Sequence, residues 1–220
     1  MTGRPTARQA GPAPAPPDPW LLDGPAARRR GAGAGRPSGT RAALPAAVFF
    51  DRDGTLIADV PYNGDPDLVA PLPTAREAVA AVRALGIPVG VVSNQSGVAR
   101  GLLTRRHVEA VRARVEELLG PFAVWAVCPH GPDDGCGCRK PAPGLVHAAC
   151  GRLGVRPDRT VLIGDIAADL GAARAAGARG ILVPTPQTRP EETAGAPESA
   201  PDLLTAVRQA LAAGRNGAER

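Results

Sequence analysis

Short apolar runs alternate with amphipathic helical patterns from residue 46 onward, and this alternation constrains the fold more than any other feature of the chain. Helical patterns separate the apolar runs, and a last helix is predicted near 202–213. Strands that alternate with helices in this way form a parallel sheet with helices on both faces. The sequence therefore predicts an α/β fold, a three-layer sandwich with a mainly parallel sheet. Its buried strands are predicted at 46–50 (AAVFF), 87–92 (IPVGVV), 123–127 (AVWAV), 160–164 (TVLIG) and 180–184 (GILVP).

The ends of the predicted helices carry their own signals. Thr74 and Glu77 have the spacing of a capping box ahead of the helix AREAVAAVRALG. Thr104 is predicted to cap the next helix, which Gly120 ends. Two further helices are predicted over 143–153 and 167–177. A Pro/Thr/Glu-rich loop is predicted over 185–200.

Both ends of the chain are predicted to lie outside the folded domain. Residues 1–44 are rich in Pro, Ala, Gly and Arg, and they offer too little apolar surface to offset the entropy of ordering them. Arg28–Arg30 precede glycines instead of an apolar run, which is unlike a secretory signal. A solvated tail is favoured over weak contact with an anionic surface. We expect a disordered tail over 1–44, one domain over 45–213 and a flexible C-terminus over 214–220.

The positive charge of the chain lies in this tail. Of 26 basic and 21 acidic residues, seven arginines and two aspartates fall within residues 1–45, which leaves 19 of each sign in the rest. The domain is therefore not basic, and no specific nucleic-acid partner is predicted. No apolar run approaches the roughly 20 residues that cross a bilayer, so no membrane partner is predicted. Three of the four cysteines are bunched, unlike a secreted disulfide framework, and a cytoplasmic location is predicted.

Polar side chains follow the predicted strands at the points where the strands end. Asp51 and Asp53 follow the first strand, Ser93 and Asn94 the second, and Asp165 the fourth. In parallel sheets these ends meet at one edge, where ligands bind. Asp and Gly are also common in turns and caps, but no helical pattern starts after the first strand. A second acidic cluster recurs in GDIAAD, and two such clusters at one edge indicate a Mg²⁺ site.

Four motifs, in order along the chain, resemble the signatures of the haloacid-dehalogenase-like (HAD) phosphatases. These signatures are DxDGT after the first strand, Ser/Thr-Asn after the second, a downstream lysine, and GDxxxD after the fourth. In this chain they read 51–55 (DRDGT), Ser93-Asn94, Lys140 and 164–169 (GDIAAD). The resemblance implies a Rossmann-like fold and a Mg²⁺-dependent phosphoric monoester hydrolase.

The resemblance also implies a role for each of these residues. Asp51 would attack phosphorus and form an aspartyl-phosphate. Asp53 would protonate the leaving oxygen and later deprotonate the attacking water. Asp51, the backbone carbonyl of Asp53, and Asp165 would hold Mg²⁺. Ser93 and Lys140, the only lysine in the chain, would bind the phosphoryl oxygens.

Three of the four cysteines lie with one histidine in a Pro/Gly-rich stretch. Cys128, His130, Cys136 and Cys138 offer three thiolates and one imidazole, which is the ligand set of a closed structural zinc site. A disulfide is the alternative, but it leaves one of the three cysteines over and does not explain the histidine. Zinc is therefore predicted to shape this loop and to take no part in the chemistry.

The stretch CPH…CxCRKP, together with DRDGT, resembles one subgroup of the HAD phosphatases. This subgroup contains the D-glycero-D-manno-heptose 1,7-bisphosphate phosphatases and the phosphatase part of histidinol-phosphate phosphatases. The resemblance implies hydrolysis of a small sugar phosphate in carbohydrate metabolism, with loss of the heptose 7-phosphate. Val60-Pro61 and Ile166 depart from the pattern, which bears on substrate preference. The substrate contacts implied are Asp59, Tyr62, Asn94, Gln95, Ser96 and Arg139.

Two other functions stay open at this point. The five-residue spacing between His130 and Cys136 is short, as in histidinol-phosphate phosphatases, so that activity is the alternative. A catalytically silent binding module would require the loss of Asp51 or Asp53, and both are present.

The spacing of the motifs leaves no room for a cap domain. The 42 residues from Asp51 to Ser93, and the 47 from Ser93 to Lys140, are taken up by predicted strands, helices and loops. Loops 58–72 and 128–138 are therefore expected to give specificity over an open site. We expect a monomer that acts on a small phosphorylated metabolite.

Overall fold

The computed structural model describes residues 18–24 and 44–212, and a six-stranded sheet lies at its centre. The sheet order is β1-β4-β3-β2-β5-β6, and every neighbouring pair is parallel except β1 and β4. The predicted mainly parallel sheet is thereby confirmed. The strands are β1 (Trp20–Asp23), β2 (Ala47–Phe50), β3 (Val89–Asn94), β4 (Val124–Cys128), β5 (Thr160–Gly164) and β6 (Arg179–Leu182).

Helices cover both faces of the sheet, because side chains along a strand point alternately to opposite faces. Val48 and Phe50 of β2 pack into one buried cluster with residues of α1, α2 and α6, while Phe49 packs into the other with residues of α3 and α4. This is the predicted three-layer sandwich. The helices are α1 (Ala75–Ala84), α2 (Arg105–Leu119), α3 (Gly144–Leu153), α4 (Ala167–Ala176), α5 (Pro190–Ala194) and α6 (Leu203–Ala212).

The connections between strands are short. Between β2 and β3 the chain forms one 3₁₀ turn (Pro66–Leu68) and helix α1, and between β3 and β4 it forms helix α2. A second 3₁₀ turn (Pro157–Arg159) precedes β5. No helix within the described residues combines the length and the apolar character that a bilayer crossing requires.

Strand β1 corrects the prediction that all of residues 1–44 are disordered. Leu22 is only 6 % exposed, and Asp23 accepts two hydrogen bonds from the Arg152 guanidinium, at 2.6 and 2.7 Å. Arg112 Nη2 also donates to the Asp23 carbonyl at 2.7 Å. These contacts stabilise a four-residue strand, which the Pro- and Arg-rich composition of the flanking residues did not predict. Residues 1–17 and 25–43 of the predicted tail, and the predicted flexible C-terminus, lie outside the described residues.

One of the two predicted caps is wrong. Thr74 has a left-handed backbone conformation (φ 64°), and its side chain makes no capping bond to α1. Its hydroxyl instead accepts a hydrogen bond from the Leu204 amide at 3.2 Å, which ties α1 to α6. The Thr104 cap is confirmed, since its hydroxyl accepts from the His107 amide at 3.2 Å. The predicted loop 185–200 contains the short helix α5.

Candidate active site

The predicted site residues meet beyond the carboxyl ends of β2, β3 and β5, around a cavity of about 350 Å³. Ser93 is 1 % exposed and is not among the residues that line this cavity. From the loop 128–138 no residue lines the cavity, although the two residues that follow it do. Arg52 and Gln187 also line the cavity, although the sequence did not indicate them. The predicted residues that line it are Asp51, Asp53, Asp59, Tyr62, Asn94, Gln95, Ser96, Arg139, Lys140 and Asp165.

The Lys140 ammonium lies at the centre of the site. Its side chain is 1 % exposed, and its Nζ atom is 2.8 Å from Asp51 Oδ1 and 2.6 Å from Asp169 Oδ1. Nζ also donates to the Val92 carbonyl at 3.0 Å. All three ammonium donors thus have partners. Burial alone would lower the pKa of Lys140, but the Asp169 and Asp51 carboxylates outweigh burial and raise this pKa. The ammonium is therefore a fixed positive charge beside Asp51.

Asp51, Asp165 and Asp169 form a buried cluster in which carboxylate oxygens lie within 4.8 Å of one another. Burial raises the pKa of Asp51 to about 8, opposed by Lys140 and reinforced by the other two carboxylates. Burial and Asp169 likewise raise the pKa of Asp165 to about 7. Three ionised carboxylates against one ammonium would leave two uncompensated negative charges in a buried space. The cluster therefore fits a divalent cation that takes oxygen ligands.

Gly54 makes the approach of Asp165 possible. It has a φ of +72°, and a Cβ atom added there would lie 2.3 Å from Asp165 Oδ2. Any other residue at this position would displace the carboxylate. Thr55 Oγ1 donates to Asp165 Oδ1 at 3.2 Å, and Thr188 Oγ1 donates to the Asp165 carbonyl at 2.6 Å. The glycine and the threonine of DRDGT thus position Asp165 of the fourth motif.

The Asp53 carboxylate stands apart from this cluster. Arg52 grips it through two hydrogen bonds, from Nε to Oδ1 at 2.9 Å and from Nη2 to Oδ2 at 2.8 Å. Gln95 Nε2 donates to Asp53 Oδ2 at 3.0 Å and to Ser93 Oγ at 2.8 Å. Asp53 therefore lines the same cavity as Asp51, but its carboxylate is held by Arg52 and Gln95 and is not a member of the carboxylate cluster.

Two of the residues predicted to contact substrate are engaged within the protein. The Asn94 side chain accepts from the Lys140 amide and donates to the Lys140 carbonyl, both at 3.1 Å. Gln95 is 4 % exposed and bonded to three neighbours. Both amides fix the positions of other site residues, whereas Asp59 and Tyr62 border open space in the cavity.

Cys128, His130, Cys136 and Cys138 converge at the end of β4. Their ligand atoms lie within 4.8 Å of one another, with Sγ–Sγ distances of 3.2, 3.6 and 3.7 Å. A tetrahedral zinc ion with Zn–S bonds of about 2.3 Å would hold its sulfurs roughly 3.8 Å apart. His130 Nδ1 faces the thiols, 3.2 Å from Cys138 Sγ. All four described cysteines are free, so the alternative of a disulfide finds no support here.

Besides Gln187, sequence reasoning missed three contributions to the site. Asp169 was visible in GDIAAD, but its role as the partner of Lys140 follows only from the turn of α4 that brings it over β5. Arg52 and Thr188 carry no motif signal, because their contacts depend on the local backbone. The sequence predicted the residues that carry the chemistry better than the residues that hydrogen-bond to them and fix their positions.

Comparison with known proteins agrees with this geometry. The profile of the Hydrolase-like family, described as HAD-hydrolase-like, matches residues 137–210. The chain is 40 % identical over 143 residues to the D-glycero-beta-D-manno-heptose-1,7-bisphosphate 7-phosphatase of Pseudomonas aeruginosa, covering 63 % of this chain and 80 % of that one. It is 34 % identical over 172 residues to the enzyme of the same name from Pseudomonas putida, covering 74 % and 98 %.

Solved structures give the same result. The D,D-heptose 1,7-bisphosphate phosphatase from B. bronchiseptica, complexed with magnesium and phosphate, superposes with a TM-score of 0.67 at 31 % identity. The match covers 74 % of this chain and 97 % of that one. A HAD-like phosphatase from Mesorhizobium loti matches with a TM-score of 0.63 at 32 % identity, covering 89 % and 96 %.

The chain belongs to the haloacid-dehalogenase-like phosphatases, in the family that these heptose-bisphosphate 7-phosphatases represent. The sheet order, and the cluster of Asp51, Asp165 and Asp169 with Lys140 bonded to two of them, agree with this class. The predicted family, fold and enzyme class, a phosphoric monoester hydrolase, are confirmed.

Proposed function

We propose that this chain hydrolyses D-glycero-D-manno-heptose 1,7-bisphosphate at its 7-phosphate. The observation that carries the proposal is the buried contact between Asp51 and Lys140 at the floor of the cavity, 2.8 Å apart, beside Asp165. Two relatives at 34–40 % identity are named for this activity, and this chain covers 80 % and 98 % of their length, which supports the choice of substrate.

In the proposed reaction an Asp51 oxygen bonds to phosphorus while the bond from phosphorus to the sugar oxygen breaks. Asp53, protonated at this stage, gives its proton to the leaving oxygen, so that the sugar departs as an alcohol. Asp53 then takes a proton from a water molecule, whose oxygen attacks the phosphorus of the aspartyl-phosphate. Inorganic phosphate leaves, and both aspartates return to their starting states.

We further propose that Mg²⁺ is held by Asp51, Asp165 and the backbone carbonyl of Asp53. When bound, this ion reduces the repulsion between the carboxylate nucleophile and the phosphoryl group. The support from this chain is the buried carboxylate cluster and the space that Gly54 leaves for it. Lys140 supplies the other positive charge. Ser93, the residue after Val92, whose carbonyl accepts from the Lys140 ammonium, is proposed as a phosphate contact.

Zinc at Cys128, His130, Cys136 and Cys138 is proposed to be structural. The last of these ligands lies two residues before Lys140, so the metal would fix the start of the segment that carries the ammonium. Arg139 follows the same ligand and lines the cavity, where its charge suits a second phosphate group of the substrate.

Other contacts with the sugar are proposed for three further residues. Asp59, Tyr62 and Ser96 line the cavity, and Tyr62 is 44 % exposed. Burial, together with the nearby Asp53 carboxylate, raises the pKa of Asp59. We also propose a cytoplasmic monomer, and the bunched free cysteines support the cytoplasmic location.

The test is phosphate release from heptose 1,7-bisphosphate and from histidinol phosphate, compared as kcat/KM with Mg²⁺ present. The proposal expects a preference for the heptose substrate and no turnover by an Asp51→Asn variant. A preference for histidinol phosphate would favour the alternative that the short spacing between His130 and Cys136 indicates. Turnover retained in the Asp51→Asn variant would exclude the aspartyl-phosphate route.

A further inference from the structure

Arg52 stands between the two aspartates of the first motif, and its side chain is 3 % exposed. Its guanidinium makes a bidentate pair with the Asp53 carboxylate, at 2.9 and 2.8 Å. Such a pair fixes the orientation of a carboxylate as well as its position, because two parallel N–H donors meet its two oxygens. Asp53 itself is 22 % exposed and lines the cavity. The Arg52 side chain is therefore buried, whereas the Asp53 carboxylate that it holds is accessible from the cavity.

A second tie joins the same groups. Arg52 Nη2 donates to Gln95 Oε1 at 3.1 Å, and Gln95 Nε2 donates back to Asp53 Oδ2 at 3.0 Å. The Gln95 amide also donates to Ser93 Oγ at 2.8 Å. Arginine, glutamine and aspartate thus form a closed ring of hydrogen bonds, and the ring is anchored to strand β3 through Ser93.

The backbone of residue 52 is fixed as firmly as its side chain. Its carbonyl accepts hydrogen bonds from the amides of Leu56 and Ile57, both at 3.0 Å. Its amide donates to Asp51 Oδ1 at 2.7 Å. The relative placement of the Asp51 and Asp53 carboxylates is therefore set by the one residue between them.

We propose that Arg52 is a positioning residue for acid–base catalysis, which holds the Asp53 carboxylate toward the leaving oxygen, with Gln95 as a second tie. This inference rests on the proposed function, in which Asp53 transfers protons. Arg52 does not touch the reacting atoms, and it acts through the orientation of Asp53. The alternative is an ion pair that stabilises the fold and has no particular effect on proton transfer.

The leaving group distinguishes these two roles. A sugar alkoxide needs a proton as it departs, whereas p-nitrophenolate and the acetate of acetyl phosphate leave readily without one. If Arg52 orients Asp53, its loss slows phosphoryl transfer from sugar phosphates and spares the activated compounds. If Arg52 only stabilises the fold, all substrates lose activity in the same proportion.

The experiment compares kcat/KM, which reports phosphoryl transfer to the enzyme, for heptose 1,7-bisphosphate, p-nitrophenyl phosphate and acetyl phosphate. The variants are Arg52→Met and Arg52→Lys. The matched control is Arg179→Met, since Arg179 makes a similar two-bond pair with Glu198 and neither residue lines the cavity. General acid catalysis contributes about 10²–10⁴-fold, so we expect Arg52→Met to lose roughly a hundredfold on the sugar and less than about threefold on the activated compounds. Arg52→Lys, which keeps the positive charge but not the planar fork of the guanidinium, should fall in between.

Equal losses on all three substrates, or no loss on the sugar, would overturn the inference. If Arg52→Met does not fold, Gln95→Met removes only the second tie and must show the same selectivity, at a smaller size. Wild-type protein that releases phosphate from none of the three would overturn the proposed function instead. The two failures are therefore separate.

Discussion

Replacing Lys140 tests the electrostatic balance of the site most sharply. Its ammonium is buried and bonded to Asp51, Asp169 and the Val92 carbonyl. Lys140→Met keeps the length of the side chain but leaves two buried carboxylates without their cation. Removing one partner of a buried ion pair costs about 3–5 kcal/mol of unfolding free energy. The penalty should shrink at acid pH, where the carboxylates are neutralised by protons.

The measurement is urea unfolding of metal-free protein at pH 5 and pH 8, followed by phosphate release with Mg²⁺. We expect the full loss of stability at pH 8, and a fall in kcat of roughly 10²–10³-fold, the range for losing one charge-stabilising donor. Lys140→Arg should also lose turnover sharply, because a planar guanidinium does not fit the position of a compact ammonium.

The double variant Lys140→Met/Asp169→Asn is the control. It removes the charge on both sides of the pair, and removing both partners is far less costly than removing one. It should therefore recover stability relative to Lys140→Met while remaining inactive. Lys140→Met that is as stable as the wild type at pH 8, or active within a few-fold of it, would refute this account of the site.

Three further perturbations have definite expected outcomes. The pKa values of Asp51 and Asp165 are raised from 3.8 to about 8 and about 7, so their protonated forms stabilise the folded state fully below the unfolded pKa, and this contribution is lost progressively as pH rises from about 4 to 7–8. The melting temperature of metal-free protein should therefore fall over this range, and Mg²⁺ should raise it more at pH 8 than at pH 6; equal Mg²⁺ shifts at both pH values would contradict the assignment. Elemental analysis should find one zinc per chain, and Cys136→Ser should lower both zinc content and melting temperature; a folded, active, zinc-free protein would rule the site out. Leu22→Ala should cost about 2–3 kcal/mol in urea unfolding, as for a buried leucine, whereas an unchanged midpoint would argue against strand β1.

The central strands and the order of the motifs could be predicted because parallel strands are buried on both faces and therefore appear as continuous apolar runs. The carboxyl ends of those strands then bring Asp51, Ser93 and Asp165 to one edge whatever the details of packing. For this reason the sequence predicted the members of the site well.

Features that depend on tertiary contacts could not be predicted. Strand β1 is four residues long and is held by arginines of α2 and α3, so its local composition is a poor guide. Thr74 has the right spacing for a capping box, but its hydroxyl is taken by α6. The pairing of Arg52 with the next residue, and of Lys140 with Asp169, requires backbone geometry that no spacing rule supplies.

The claim on which the account rests is that Asp51 becomes covalently phosphorylated during turnover. Wild-type protein can be quenched during hydrolysis of heptose 1,7-bisphosphate and treated with borohydride, which reduces an acyl phosphate to the alcohol, and the peptide that contains Asp51 can then be examined by mass spectrometry. We predict reduction at Asp51 in the wild type and none in the absence of substrate. Phosphate attached to a different residue, or continued turnover with Asp51 always unmodified, would contradict the account.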